Sequence, residues 1–143
     1  MQDSNCIFCK IATGSISARI VIQNERAMAL LDAFPLAAGH TLVIPKSHYV
    51  RVQEMSREDA LAVFEVAWKI VGAVESGSKM SASTIAIHNG REAGQEVPHV
   101  HIHIVPRTNA DGAGPIHSMF SNRPKLGPQE MDSLCELISA NLP

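Results

Sequence analysis

Polar and apolar positions alternate in short runs through most of the chain and fall into helical period in two stretches. Residues 19–23 and 26–31 predict two strands joined by a turn at Asn24-Glu25, and Asp32-Ala33-Phe34-Pro35 breaks the second. Gly39-His40 opens a third strand over 41–44, which Pro45 stops. Residues 83–87 and 97–105 predict two more, separated by a glycine-containing loop over 88–95. Residues 6–12 predict a short helical turn ended at Thr13-Gly14.

The long helix is predicted over 57–75. Ser56 is its N-cap, and Glu58 and Asp59 place negative charge where the helix dipole favours it. Leu61, Phe64, Ala67, Trp68, Val71 and Val74 recur at helical spacing and are the expected core stripe. Val63, Val66 and Ile70 widen the apolar face beyond one stripe, which fits either deep burial or a second flank covered by another subunit. Pro128 suits the first turn of a C-terminal helix over 129–141, in which Cys135 is expected to be core. The stretch 108–127 is loop. The chain is thus expected to be a single α+β domain over 1–143, with 108–143 its variable C-terminal loop and helix.

Composition narrows the function. With 143 residues and 45% apolar positions the chain has enough for one core. A net charge of −2 argues against binding nucleic-acid polymers, yet leaves room for a nucleotide-sized anion. Only 18% of residues are charged and 4% aromatic, a hint that part of the surface is covered by a second subunit. No membrane association is expected, since the longest apolar stretch, 60–74, is interrupted by Glu65 and Lys69. The first residues carry no basic start or apolar core, and three cysteines do not make a disulfide framework, so the cytoplasm is the expected compartment.

Histidine is where the chemistry concentrates. His99-Val100-His101-Ile102-His103-Ile104-Val105 alternates strictly. In a strand this lines three imidazoles along one face over an apolar back. A neutral imidazole, with an ordinary pKa near 6.5, attacks phosphorus readily, and a neighbouring ring can hold the phosphate. The row therefore fits phosphoryl or nucleotidyl transfer. The loop entering it supplies glycines and backbone amides suited to an anion. Cys6-Ile7-Phe8-Cys9 places two thiols within reach of one tetrahedral metal, with seven histidines available to complete it. A redox pair or two buried structural cysteines are the other readings of that spacing.

Taken together these residues resemble the histidine triad (HIT) family. The resemblance rests on the His-x-His-x-His run followed by Ile104-Val105. It extends to Cys6-Ile7-Phe8-Cys9-Lys10, to Asp32 with Pro35, to Gly39-His40-Thr41-Leu42-Val43-Ile44-Pro45-Lys46-Ser47-His48, and to Gly94-Gln95.

The resemblance implies a five-stranded antiparallel sheet with a long helix, a short N-terminal helix and a C-terminal helix, assembled as a homodimer. It implies a hydrolase of nucleoside phosphoramidates or related purine nucleotides that passes through a nucleotidyl-histidine. His101 would be the nucleophile, with His99, His103 and Gln95 completing the catalytic set. Asp32 would bind the ribose, and Phe8, Ile22, Leu30 and Leu31 would line the base pocket, with His88, Asn89 and Gly94 near the phosphate. His40 would lie in the histidine network behind the triad. Cys6, Cys9, His48 and His99 would hold a structural Zn2+. A dinucleoside polyphosphate hydrolase and a nucleotide-binding module without turnover are the alternatives.

Two positions depart from the family pattern. His88 stands where an asparagine is common, so either His88 takes over as donor or Asn89 reaches in along a changed loop path. Glu96 stands where a hydroxyl residue is common. Its carboxylate would disfavour polyphosphate leaving groups, and either favour a cationic amine or act, protonated, as an acid.

Overall fold

The computed structural model describes residues 2–143. The chain divides after Asp111 into two compact units. The first carries helix α1 (Ile7–Ala12), strands β1 (Ile20–Gln23), β2 (Ala27–Leu31) and β3 (Thr41–Pro45), helix α2 (Arg57–Gly77), and strands β4 (Ala82–Ala86) and β5 (Ile102–Arg107). The second unit carries helix α3 (Pro128–Ala140), preceded by a 3-10 turn at Ile116–Met119. The five strands form one antiparallel sheet in the order β1-β2-β3-β5-β4.

Strand period places a core on each face of that sheet. On one face Ala27, Ala29, Val43, Ile102 and Ile104 pack against Ala62, Val63, Val66, Ala67, Ile70 and Val74 of α2. On the other face Met28, Leu30, Leu42 and Ile44 pack with Cys6, Phe8 and Cys9 from the α1 segment. His103 pairs directly with Leu42 of β3 and Ala86 of β4, so its side chain shares the α1 face.

The stripe that α2 buries differs from the expected one. Leu61, Phe64 and Trp68 are exposed, Trp68 by 78%, whereas Val66 is 2% exposed. The helix lies over small residues, Ala27 and Ala29, and turns toward them its own small and β-branched side chains at 62, 66, 70 and 74, spaced four apart. The larger side chains are left on the outer flank.

The start of α2 is pinned from three sides. Ser56 Oγ accepts from the Asp59 amide, and the buried Asp59 carboxylate accepts from Arg26 at 2.9 Å and from the Tyr49 hydroxyl at 2.7 Å. These bonds outweigh the opposing effect of burial and hold the Asp59 carboxyl below its ordinary pKa.

β5 begins later than its alternation predicts. Residues 97–101 lie outside the sheet: the His99 amide donates to the Val97 carbonyl and the Val100 amide to the Tyr49 carbonyl. Those bonds replace sheet pairing, so burial continues without a ladder. Within the second unit α3 has no buried residue, and Cys135 is exposed rather than core. Its apolar residues, Met131, Leu134, Leu137 and Ile138, all remain exposed because no other element of that unit covers them.

Candidate active site

A cavity of about 570 Å³ opens on the α1 face of the sheet. Its apolar lining includes Phe8, Leu30, Leu31 and Leu42, and its polar lining includes Asp32, His40, His88, Gly94, Glu96, His101 and His103. Gly39, with φ of 85°, turns the chain into His40, and a Cβ there would collide with the Ser78 hydroxyl. Gly94, with φ of 91°, turns the 88–95 loop over the cavity, where a Cβ would lie 3.9 Å from His88 Nδ1.

The histidine rings have definite hydrogen-bonding roles. His101 Nδ1–H donates to the His99 carbonyl at 2.6 Å, which leaves Nε2 as the lone-pair nitrogen. The Leu36 amide donates to His40 Nδ1 at 3.2 Å, and a backbone amide cannot reverse its direction. The hydrogen of the neutral His40 ring is therefore on Nε2, and it donates to His103 Nδ1 at 2.9 Å. That leaves His103 with its hydrogen on Nε2, a buried atom that has no hydrogen-bond partner among the described residues. A buried donor without a partner is costly, so it marks a place prepared for an acceptor such as a phosphoryl oxygen.

Burial keeps these rings neutral. Desolvation pushes His103 down to about 4, with His101, His40 and His88 adding repulsion in the same direction. Desolvation likewise lowers His40, against the pull of the Asp32 carboxylate 3.4 Å away, and it lowers His101 against the hydrogen bond to the His99 carbonyl.

His99 is turned away from the row. It is fully buried, and its Nε2–H donates to the Pro45 carbonyl at 3.0 Å, so its Nδ1 presents a lone pair. That nitrogen lies 3.4 Å from Cys6 Sγ and 3.7 Å from Cys9 Sγ, and His48 Nδ1 lies 3.3 Å from Cys9 Sγ. All four candidate ligand atoms lie within 4.8 Å of one another. Zn–S bonds of about 2.3 Å and Zn–N bonds of about 2.0–2.1 Å put tetrahedral S···N separations near 3.5 Å. The donor set and its spacing therefore fit a closed tetrahedral metal site.

Three expected site residues are placed elsewhere. Ile22 is exposed on β1 and does not line the cavity: it pairs with Ala29, whose side chain packs toward α2, so it lies on the opposite face of the sheet. Asn89 faces the 3-10 turn at Val52–Glu54, accepting from the Val52 amide and donating to Gln53, so it is His88 that lines the cavity. Gln95 is buried beneath the loop. Its side-chain oxygen accepts from the Gly90 amide and its nitrogen donates to the Val50 carbonyl, so both ends are engaged in holding the loop. Sequence reasoning missed the Arg26–Asp59–Tyr49 cluster, and nothing in the spacing of those residues announces it.

The sheet is two-sided, one face roofed by α2 and the other carrying a cavity beside a row of imidazoles. The chain belongs to the HIT family: the HIT domain model matches residues 13–110. An uncharacterized HIT-like protein of Methanocaldococcus jannaschii is 47% identical over 107 residues, covering 75% of this chain and 82% of its own. The adenosine 5'-monophosphoramidase hnt1 of Schizosaccharomyces pombe is 33% identical, covering 96% and 98% respectively. Among solved structures, a HIT family protein from Bacillus subtilis superimposes with a TM-score of 0.85 at 34% identity, covering 98% of this chain and 99% of its own. A Zn-bound histidine triad family protein from Mycobacterium smegmatis gives 0.70 at 32% identity, covering 96% and 98%.

Proposed function

We propose that the protein hydrolyses nucleoside phosphoramidates or related purine nucleotides through a nucleotidyl-His101 intermediate. The observation that carries this reading is the pairing of two nitrogens at the cavity: the lone pair of His101 Nε2 and the unpartnered donor of His103 Nε2. The match to a monophosphoramidase over nearly the full chain supports the same reaction class.

In this reading the base occupies the apolar end of the cavity beside Phe8, Leu30 and Leu31, and Asp32 accepts from the ribose hydroxyls. His101 Nε2 attacks the α-phosphorus while the phosphorus–nitrogen bond to the leaving amine breaks and the amine takes up a proton from solvent, which the water of the second step later returns. His103 Nε2–H donates to a non-bridging oxygen as charge builds there. The His99 carbonyl retains the Nδ1 hydrogen of His101, so the intermediate is a phosphorylated imidazolium, a good leaving group. Water then attacks phosphorus, gives up a proton and releases the nucleotide, restoring neutral His101. Gln95 contributes by holding the loop that carries Gly94.

Cys6, Cys9, His48 and His99 would hold zinc, and the Zn-bound relative supports that choice of metal. When bound, zinc supplies a cross-link between the α1 segment, the chain after β3 and the segment leading to the nucleophile. The exposed Leu61, Phe64 and Trp68 of α2 support a homodimer, since a flank of this size is ordinarily covered. Three free cysteines suit a reducing compartment, the cytoplasm.

The test is intact-protein mass spectrometry after mixing with an adenosine 5'-phosphoramidate and quenching without acid. An added adenylyl group in the native chain, absent in His101→Asn, is the expected result. Nucleotide binding with neither adduct nor product would overturn the enzymatic reading.

A further inference from the structure

Glu96 lines the same cavity as His101 and His103. The apolar lining and Asp32 account for base and ribose, and His101 for attack, so the remaining polar lining, His88, Gly94 and Glu96, borders the space through which a leaving group departs. The Glu96 side chain is exposed, and among the described residues it makes no hydrogen bond or ion pair. Arg19 is the one lining residue of fixed positive charge, and it belongs to the segment beside Ala18 that lines the apolar part of the cavity.

We propose that Glu96 selects substrates whose leaving group carries positive charge, such as an amine bearing a second ammonium, and excludes anionic leaving groups. This deepens the phosphoramidase reading and rests on it. A polyphosphate released toward Glu96 would meet a fixed negative charge, and Arg19 is the only lysine or arginine among the described residues that line the cavity. A second ammonium would find a carboxylate with no competing partner. Two unit charges about 6 Å apart at an effective dielectric near 40 change a rate or affinity about tenfold.

The experiment compares three adenosine 5'-phosphoramidates of linear amines of equal length, ending in an ammonium, a methyl or a carboxylate group. Ratios of kcat/KM between substrates, taken within each variant, cancel general effects on folding or turnover. The native chain should rank them ammonium, methyl, carboxylate, with the first-to-last ratio at least about tenfold and shrinking at high salt. Glu96→Gln should lower that ratio about tenfold, and Glu96→Lys should invert the order. An unchanged ratio in Glu96→Gln would overturn the selector while leaving the enzyme standing. A native chain that turns over none of the three and forms no adduct would overturn the enzymatic reading and this inference with it.

Discussion

His40 Nε2 lies 2.9 Å from His103 Nδ1, and through this contact a residue outside the triad determines which nitrogen of His103 carries hydrogen. The direction of the chain is set by the Leu36 amide, which cannot be reversed. His40→Phe removes the donor and frees His103 to take the other tautomer. The expected result is a fall in kcat of about tenfold or more with KM little changed, because the contact orients a donor rather than binding substrate. His40→Gln, whose amide can still donate, should recover part of the loss. An unchanged kcat in His40→Phe, whose ring keeps the volume, would show that His40 acts only by filling space.

Metal removal should be felt as instability. Chelation of the protein should release one zinc per chain and lower Tm by about 10 °C or more, given that a ligand at a thousandfold over its Kd contributes about 4 kcal/mol. Cys6→Ser and Cys9→Ser should abolish stoichiometric binding. A chain that contains no zinc by elemental analysis, yet melts unchanged after chelation, would remove the metal from the account.

Stability should depend on pH in a defined window. His103 has a pKa of about 4 in the fold and an ordinary value near 6.5 in the unfolded chain. Between those values the unfolded chain binds a proton that the folded ring refuses. Stability therefore falls as pH falls from 6.5 toward 4, and this contribution levels off below about 4. His40 is lowered by burial and acts in the same direction. Urea unfolding at pH 7, 6 and 5 should show a shallower pH slope in His103→Gln, by up to one proton, than in the native chain.

The outer flank of α2 gives a prediction about assembly. Trp68→Glu and Phe64→Glu alter exposed positions, so the helix should remain folded while the proposed homodimer dissociates. Sedimentation over a range of concentrations, with circular dichroism to check the fold, measures both. A native chain that is monomeric at every concentration would leave this flank without a partner copy. Val66→Asp, on the opposite stripe, should instead unfold the protein.

Local signals in the sequence were readable where local physics decides. Ser56 with Asp59 marked the start of α2, and the prolines and glycines bounded β2 and β3. The rotation of α2 was not readable, because its sequence carries two apolar stripes, Leu61-Phe64-Trp68 and Ala62-Val66-Ile70. Only the small residues Ala27 and Ala29 beneath it decide which one turns inward. The alternation through His99 and His101 predicts strand, yet the backbone there bonds to Tyr49 and Val97, distant or irregular partners that no periodicity reveals. The histidine row and the cysteine pair were visible as candidates. That His99 faces the cysteines while His101 faces the cavity depends on two carbonyls, of Pro45 and of His99 itself.

The cysteine–histidine cluster also bears on the order in which the chain acquires its shape. Cys6 and His99 are separated by 93 positions, and Cys9 and His48 by 39. Closing loops of that size is entropically expensive until the sheet has already gathered its ends. A metal captured there arrives after the rate-limiting step. It should leave the folding rate nearly unchanged and slow unfolding instead, acting as a latch on a finished fold rather than as a seed for it.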